Sequence, residues 1–180
     1  ILNDKSIILP LGEVKISRKI SSVLILFRTN SNVEIWDQNK KRLFEEPKIE
    51  YSIRSFNSLI NSVNFCKKKY QNIQFKIIIV DDKSKDENLS KFKKIIDKSN
   101  LDISTISLDH KKYEDTIKKQ KNDQTFSNLA SLLQSFELAK ENGEDLVFFV
   151  EDDYLHFEPM MEEMIASYER IASQIDKDIF

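Results

Sequence analysis

Three uninterrupted apolar runs, Val23 to Phe27, Ile77 to Val80 and Leu146 to Val150, divide the chain. They are rich in Val, Ile and Phe and show no polar alternation, the pattern of strands buried on both faces of a parallel sheet. Between the first two, Ile49, Ile53, Phe56, Ile60, Val63 and Cys66 recur at helical spacing behind Pro47, which predicts a crossover helix over Lys48 to Tyr70. After the second run, Ser84 or Asp86 is placed to cap a helix carrying Leu89, Phe92, Ile95 and Ile96. Leu101 to Leu108 then alternates like a strand nearer a sheet edge. A helix from about Thr125 to Asn142 is expected to bury Phe126, Leu129, Leu132, Leu133, Phe136 and Ala139, with Gly143 as its stop. It leads into a strand over Asp145 to Val150. A last helix opens at Pro159, with Glu162 and Glu163 in its first turn and Met161, Met164, Ile165, Tyr168 and Ile171 on one face.

Strands alternating with helices predict an α/β fold: a doubly wound, mostly parallel sheet with helices on both faces. The domain is expected over residues 22–180. Residues 1–21 form an N-terminal segment of mixed character, and Asn30 to Glu46 is a long connection with room for a hairpin around Val33 to Trp36.

Composition narrows the chemistry. The only glycines, Gly12 and Gly143, are far apart, so neither a GxGxxG fingerprint nor a glycine-rich phosphate loop is present. A lone Cys66 excludes an internal disulfide and a cysteine-based zinc site, and His110 and His156 are too far apart for HExxH. With 28 Lys and Arg against 30 Asp and Glu there is no basic footprint for nucleic acid. The apolar runs also fall short of the roughly 20 residues of a membrane helix. A cytoplasmic location, free or at the membrane periphery, is the corresponding expectation.

In sheets of this kind, ligands bind outside the carboxyl ends of the strands. The first run ends Phe27-Arg28-Thr29-Asn30, the second Val80-Asp81-Asp82-Lys83-Ser84 and the third Val150-Glu151-Asp152-Asp153-Tyr154. Five carboxylates therefore converge on one rim. Repulsion and desolvation oppose that gathering, and a divalent cation, Mg2+ or Mn2+ by its oxygen-only donors, offsets both. An acidic pair after a strand is equally a turn followed by a helix cap, so the triplet carries more of the functional reading.

The chain resembles the nucleotide-binding half of a GT-A glycosyltransferase, nearest in pattern to the family 2 enzymes. The resemblance lies in Val23 to Asn30, in Ile77 to Asp86 reading IIIVDDKSKD, and in Ser127 to Asp153 ending VFFVEDD. It implies a transferase that takes a sugar from a nucleotide-sugar, a UDP-sugar by family preference, in bacterial glycan biosynthesis. It further implies that Asp81 and Asp82 bind the base and ribose, with Ser84 and Asp86 shaping the turn, and that Arg28 and Thr29 lie against the nucleotide. Glu151-Asp152-Asp153 stands where the family has its DxD motif, with Glu in the first position. Asp153, with Asp152, would hold Mn2+ or Mg2+, and Glu151 and Asp152 would reach ribose and sugar. The family's catalytic base follows the metal motif at a distance, so a chain ending at Phe180 is expected to bind donor with an incomplete acceptor half. No base is assigned, and the acids after Asp153 read as helix-surface charges.

Other features have structural readings. His156 reads as packed or half exposed rather than a ligand, Trp36 as a hairpin residue, the Met160-Met161-Met164 group as core filling and Cys66 as buried and inert. The alternatives to a transferase are a phosphoacceptor receiver-type signalling domain and a nucleotide-binding scaffold without catalysis. A receiver predicts an acidic pair after the first strand.

Overall fold

The computed structural model describes residues 14–32, 46–117 and 123–179. Four strands, β1 (Ser22–Thr29), β2 (Gln74–Asp81), β3 (Asp102–Ser107) and β4 (Leu146–Glu151), form one sheet in the order β3-β2-β1-β4. Every pairing is parallel, with Phe27 beside Ile79 and Val150. The helices are α1 (Lys48–Lys69), α2 (Asp86–Ile96), the short α3 (His110–Tyr113), α4 (Asp123–Asn142) and α5 (Met160–Ile175). The expected α/β architecture is present, and the hairpin around Trp36 falls outside the described residues.

Strand alternation gives the sheet two apolar faces. On one, Val23, Ile25, Phe27, Ile77 and Ile79 pack with Phe56 and Leu59 of α1, Phe92 of α2, and Met161 and Ile165 of α5. Phe27, Phe56 and Phe92 meet ring to ring at 5.1 to 6.2 Å, the tilted geometry that aromatic quadrupoles favour. On the other face Leu24, Leu26, Ile78 and Val80 pack against Leu138 and Ala139 of α4.

Several local expectations change. β4 lies at the sheet edge and is only partly covered, because β1 is its single strand neighbour among the described residues. The buried side of α4 carries Ala130, Ser131, Gln134 and Ser135, whereas Leu129 and Phe136 are exposed. Gln134 earns its place by bonding both Asp109 N and Ser107 O at the end of β3. Phe136 turns to the sheet edge and meets Phe149 at 5.1 Å. Lys85, without a side-chain cap, precedes α2 in place of Ser84 or Asp86. Met161 is core as expected, but Met164 is exposed. Glu169 departs from the surface reading of the late acids: it is buried and accepts a hydrogen bond from Ile20 N at 3.0 Å. Gly143 is required where it stands, since an added Cβ would lie 2.6 Å from Ala139 O. Cys66 is buried and its thiol is pushed up to about 11, chiefly by desolvation, in keeping with an inert side chain.

Candidate functional site

β1 stands between β2 and β4, so the two acidic clusters end strands about 10 Å apart, at roughly 4.8 Å per neighbour. β2 and β3 lie on one side of β1, and β4 lies on the other. The strand order therefore reverses between β1 and β4, the place where sheets of this kind form a ligand crevice at their carboxyl ends. The acidic pair follows the second described strand, and β1 ends without an acid, which departs from the receiver pattern.

The first cluster is buried. Asp81 and Asp82 are 3% and 5% exposed. Asp81 Oδ2 accepts from Ser84 N at 3.1 Å, while its Oδ1 has no hydrogen-bond partner among the described residues. Burial pushes the Asp81 carboxyl above its ordinary range; hydrogen bonds from Ser84 oppose the rise, and the charges of Asp82 and Asp152 add to it. Asp82 Oδ1 lies 2.6 Å from His110 Nε2, and its Oδ2 accepts from Asn30 Nδ2 at 2.9 Å. The His110 ring stacks on Phe126 with centroids 5.9 Å apart. Between the two acids and Ser84, Lys83 adopts φ 59°, a left-handed conformation that is strained for a residue with a Cβ. Ser84 Oγ accepts from Ser31 N, and Asn88 donates to Ser31 Oγ, so the turn is tied to the end of β1.

The second cluster splits by residue. Glu151 is half exposed and pairs with Arg28, whose other terminal nitrogen reaches Asn128 O and Oδ1. Asp152 is 7% exposed and hydrogen-bonded at both oxygens. Its Oδ1 accepts from Lys48 Nζ at 2.6 Å, and its Oδ2 accepts from Thr29 Oγ1 at 2.8 Å and Ser52 Oγ at 2.6 Å. Asp153 is exposed. These groups do not fit a divalent cation shared by Asp152 and Asp153, because the Lys48 ammonium already stands 2.6 Å from Asp152 Oδ1, two hydroxyls occupy Oδ2, and the neighbouring carboxylate faces solvent. Among the described residues no three His, Cys, Asp or Glu side chains group so as to hold a metal. Arg28 and Thr29 close β1 and are each bonded to one acid of the triplet, Arg28 to Glu151 on the α4 face and Thr29 to Asp152 on the α1 face.

His156 is half-buried, with its ring edge-on to Phe148 at 6.3 Å. Its Nε2 is buried without a hydrogen-bond partner among the described residues, and burial pulls its pKa down.

Comparison with protein-family models and with curated proteins gives no match. Among solved structures, the chain is similar to S. aureus TarS 1-349, at 19% identity over 82% of this chain and 32% of that one, with a TM-score of 0.43. The same TarS segment in complex with UDP matches at 20% identity over 83% and 32%, TM-score 0.41, and another TarS structure at 18% over 82% and 19%, TM-score 0.41. The chain thus spans about a third or less of the TarS chains it matches. At TM-scores below 0.5 these likenesses decide nothing about function, which is read from the rim itself. No described helix is long and apolar enough to cross a membrane.

Three site residues escape the sequence reading. Lys48 and Ser52 look like the first turn of a helix behind Pro47, and nothing local shows that they face Asp152. His110 was within reach, because it follows the last residue of β3 by only three positions. The rule that residues after strand ends carry chemistry, applied to the third strand as well, selects it.

Proposed function

We propose that this chain is the nucleotide-sugar-binding part of a GT-A glycosyltransferase, holding a nucleoside diphosphate sugar, a UDP-sugar by the preference of the family it resembles, for transfer to an acceptor. The observation that carries the reading is Asp81. A carboxylate oxygen buried without a partner, at the carboxyl rim of a parallel sheet, is an unfilled acceptor, and a base N–H is a donor of the required kind. Asp82 stands beside it, and each of its bonded oxygens keeps a second lone pair for a ribose hydroxyl. The β1/β4 crevice lies next to this pair, in the direction the phosphates would take. Thermal shift with uridine, UDP and other nucleoside diphosphates tests the reading, since a ligand that binds only the folded state raises its apparent stability. A selective shift by uridine and UDP, reduced in Asp82→Ala, is expected; no shift with any nucleotide would overturn it.

A further inference from the structure

β2 lies between β1 and β3, so an acid at its carboxyl end is reached from both sides by the residues that follow its neighbours. Asp82 is held in that way. Asn30, just after β1, donates to its Oδ2 at 2.9 Å, and His110, which follows β3, places Nε2 2.6 Å from its Oδ1. A carboxylate is acceptor-only, so the contact puts the ring proton on Nε2, in the neutral ring as in the imidazolium. The His110 side chain is 17% exposed and is itself fixed: its ring stacks on Phe126, the preceding Asp109 donates its N–H to Gln134 Oε1, and Tyr113 of the same short helix donates to Glu137. Phe126, Gln134 and Glu137 all belong to α4. His110 is thus a rigid donor carried to the β2 rim by β3 and α4. An independent sign of a ligand stands beside it: Asp81, 3% exposed, has an Oδ1 with no hydrogen-bond partner among the described residues.

We propose that His110 is a positioning residue that fixes Asp82 for the ribose hydroxyls of a bound nucleotide, so that discrimination against a sugar without those hydroxyls depends on it. The inference rests on the nucleotide reading above and adds to it a residue of specificity. Two donors from opposite sides fix the rotation of the carboxylate and occupy one lone pair on each oxygen, which leaves one on each for a hydroxyl. Without His110, Asn30 alone holds the carboxylate, its plane is free to turn, and hydroxyls that need both oxygens in place lose that alignment.

Calorimetry with UDP and a dideoxy analogue lacking both ribose hydroxyls, on the chain and on His110→Leu and His110→Gln, tests it. Leucine keeps an apolar contact for Phe126 and removes the donor, whereas glutamine returns an N–H at similar reach. The parent is expected to bind UDP about 10-fold or more tighter than the analogue, the scale of one or two hydrogen bonds to a charged group. His110→Leu is expected to weaken UDP by about 10-fold and the analogue by no more than about 2-fold, and His110→Gln to hold UDP within about 3-fold of the parent. His110→Leu also leaves a buried carboxylate short of a donor, so a measurement on the parent stands beside it. The chain has two histidines, and His156→Gln identifies which imidazole signals in a proton–nitrogen NMR spectrum belong to His110. UDP is expected to shift them, and the analogue to shift them markedly less. Equal binding of the two nucleotides by the parent, parallel losses of both in His110→Leu, no rescue by glutamine, or imidazole signals that answer both nucleotides alike would overturn the inference and leave the nucleotide reading standing. Binding of neither nucleotide would overturn both.

Discussion

The acidic ends of β2 and β4 look alike in sequence and differ in the folded chain. After β2, two carboxylates are buried and one oxygen of Asp81 is unpartnered, on a turn held in a left-handed conformation at Lys83. After β4, only Asp152 is buried; both its oxygens are hydrogen-bonded, by Lys48, Thr29 and Ser52, and its neighbours face solvent. An acid's chemistry is thus set by what the rest of the chain brings to it. A buried acceptor without a partner is available to a ligand, whereas one paired with a cation and hydroxyls holds the fold together and fixes its partners.

The largest expected effect lies in the β4 cluster. Lys48→Ala strands a buried carboxylate and is expected to destabilise the chain by about 3–5 kcal/mol. Glu151→Ala, which leaves the enclosed Arg28 with only its Asn128 contacts among those described, is expected to cost about 1–2 kcal/mol, and Asp153→Ala about 0.5 kcal/mol or less. Denaturant unfolding of the three variants checks the order. Equal losses would erase the distinction between the buried acid and its neighbours.

Ligand binding separates the clusters next. Asp82→Ala is expected to weaken uridine by about 10- to 100-fold, the scale of one or two hydrogen bonds to a charged group. Asp153→Ala is expected to leave uridine unchanged. Isothermal titration of both variants, after circular dichroism confirms folding, measures this. A loss of uridine binding in Asp153→Ala alone would move the nucleoside site to β4.

The layout of these clusters was largely legible in the sequence, and their partners were not. Apolar runs locate the strands because burial on a sheet face acts on consecutive residues, so β1, β2 and β4 are recognisable from Val23, Ile77 and Leu146 onward. The face of α4 was misread because its bulky residues, Leu129 and Phe136, sit where the sheet ends at β4, while small Ala130 and Ser135 allow close approach and Gln134 satisfies the backbone of β3. Asp152 with Lys48 spans 104 positions, and Asp82 with His110 spans 28. Such pairs depend on strand order and helix rotation, which the pattern of polar and apolar positions leaves open.

A subtler contrast concerns protonation. Burial raises the Asp81 carboxyl, and a carboxyl raised in the folded state favours folding when protonated. That contribution is fully present below the ordinary carboxylate range and is lost as pH rises through the folded value. Asp81→Asn, which keeps an acceptor for Ser84 N, is therefore expected to be more stable than the parent at pH 7, with the advantage shrinking toward pH 4. Thermal unfolding across that range decides. An advantage independent of pH would show that burial does not press on this carboxyl.

The smallest effect concerns the turn that presents the β2 pair. At φ 59° the Cβ of Lys83 costs about 1–2 kcal/mol, which glycine avoids, while the freer unfolded chain of a glycine takes back about 0.5–1 kcal/mol. Lys83→Gly is expected to gain about 0.5–1 kcal/mol by chemical denaturation. The Lys83 carbonyl, which accepts from Asn32, is retained in the variant. Uridine affinity should then hold within about 2-fold, because Asp82 remains anchored by His110 and Asn30. A gain in stability with a marked loss of uridine binding would show that the strained lysine itself holds the pair in its binding geometry, and that the two clusters differ in backbone strain as well as in partners.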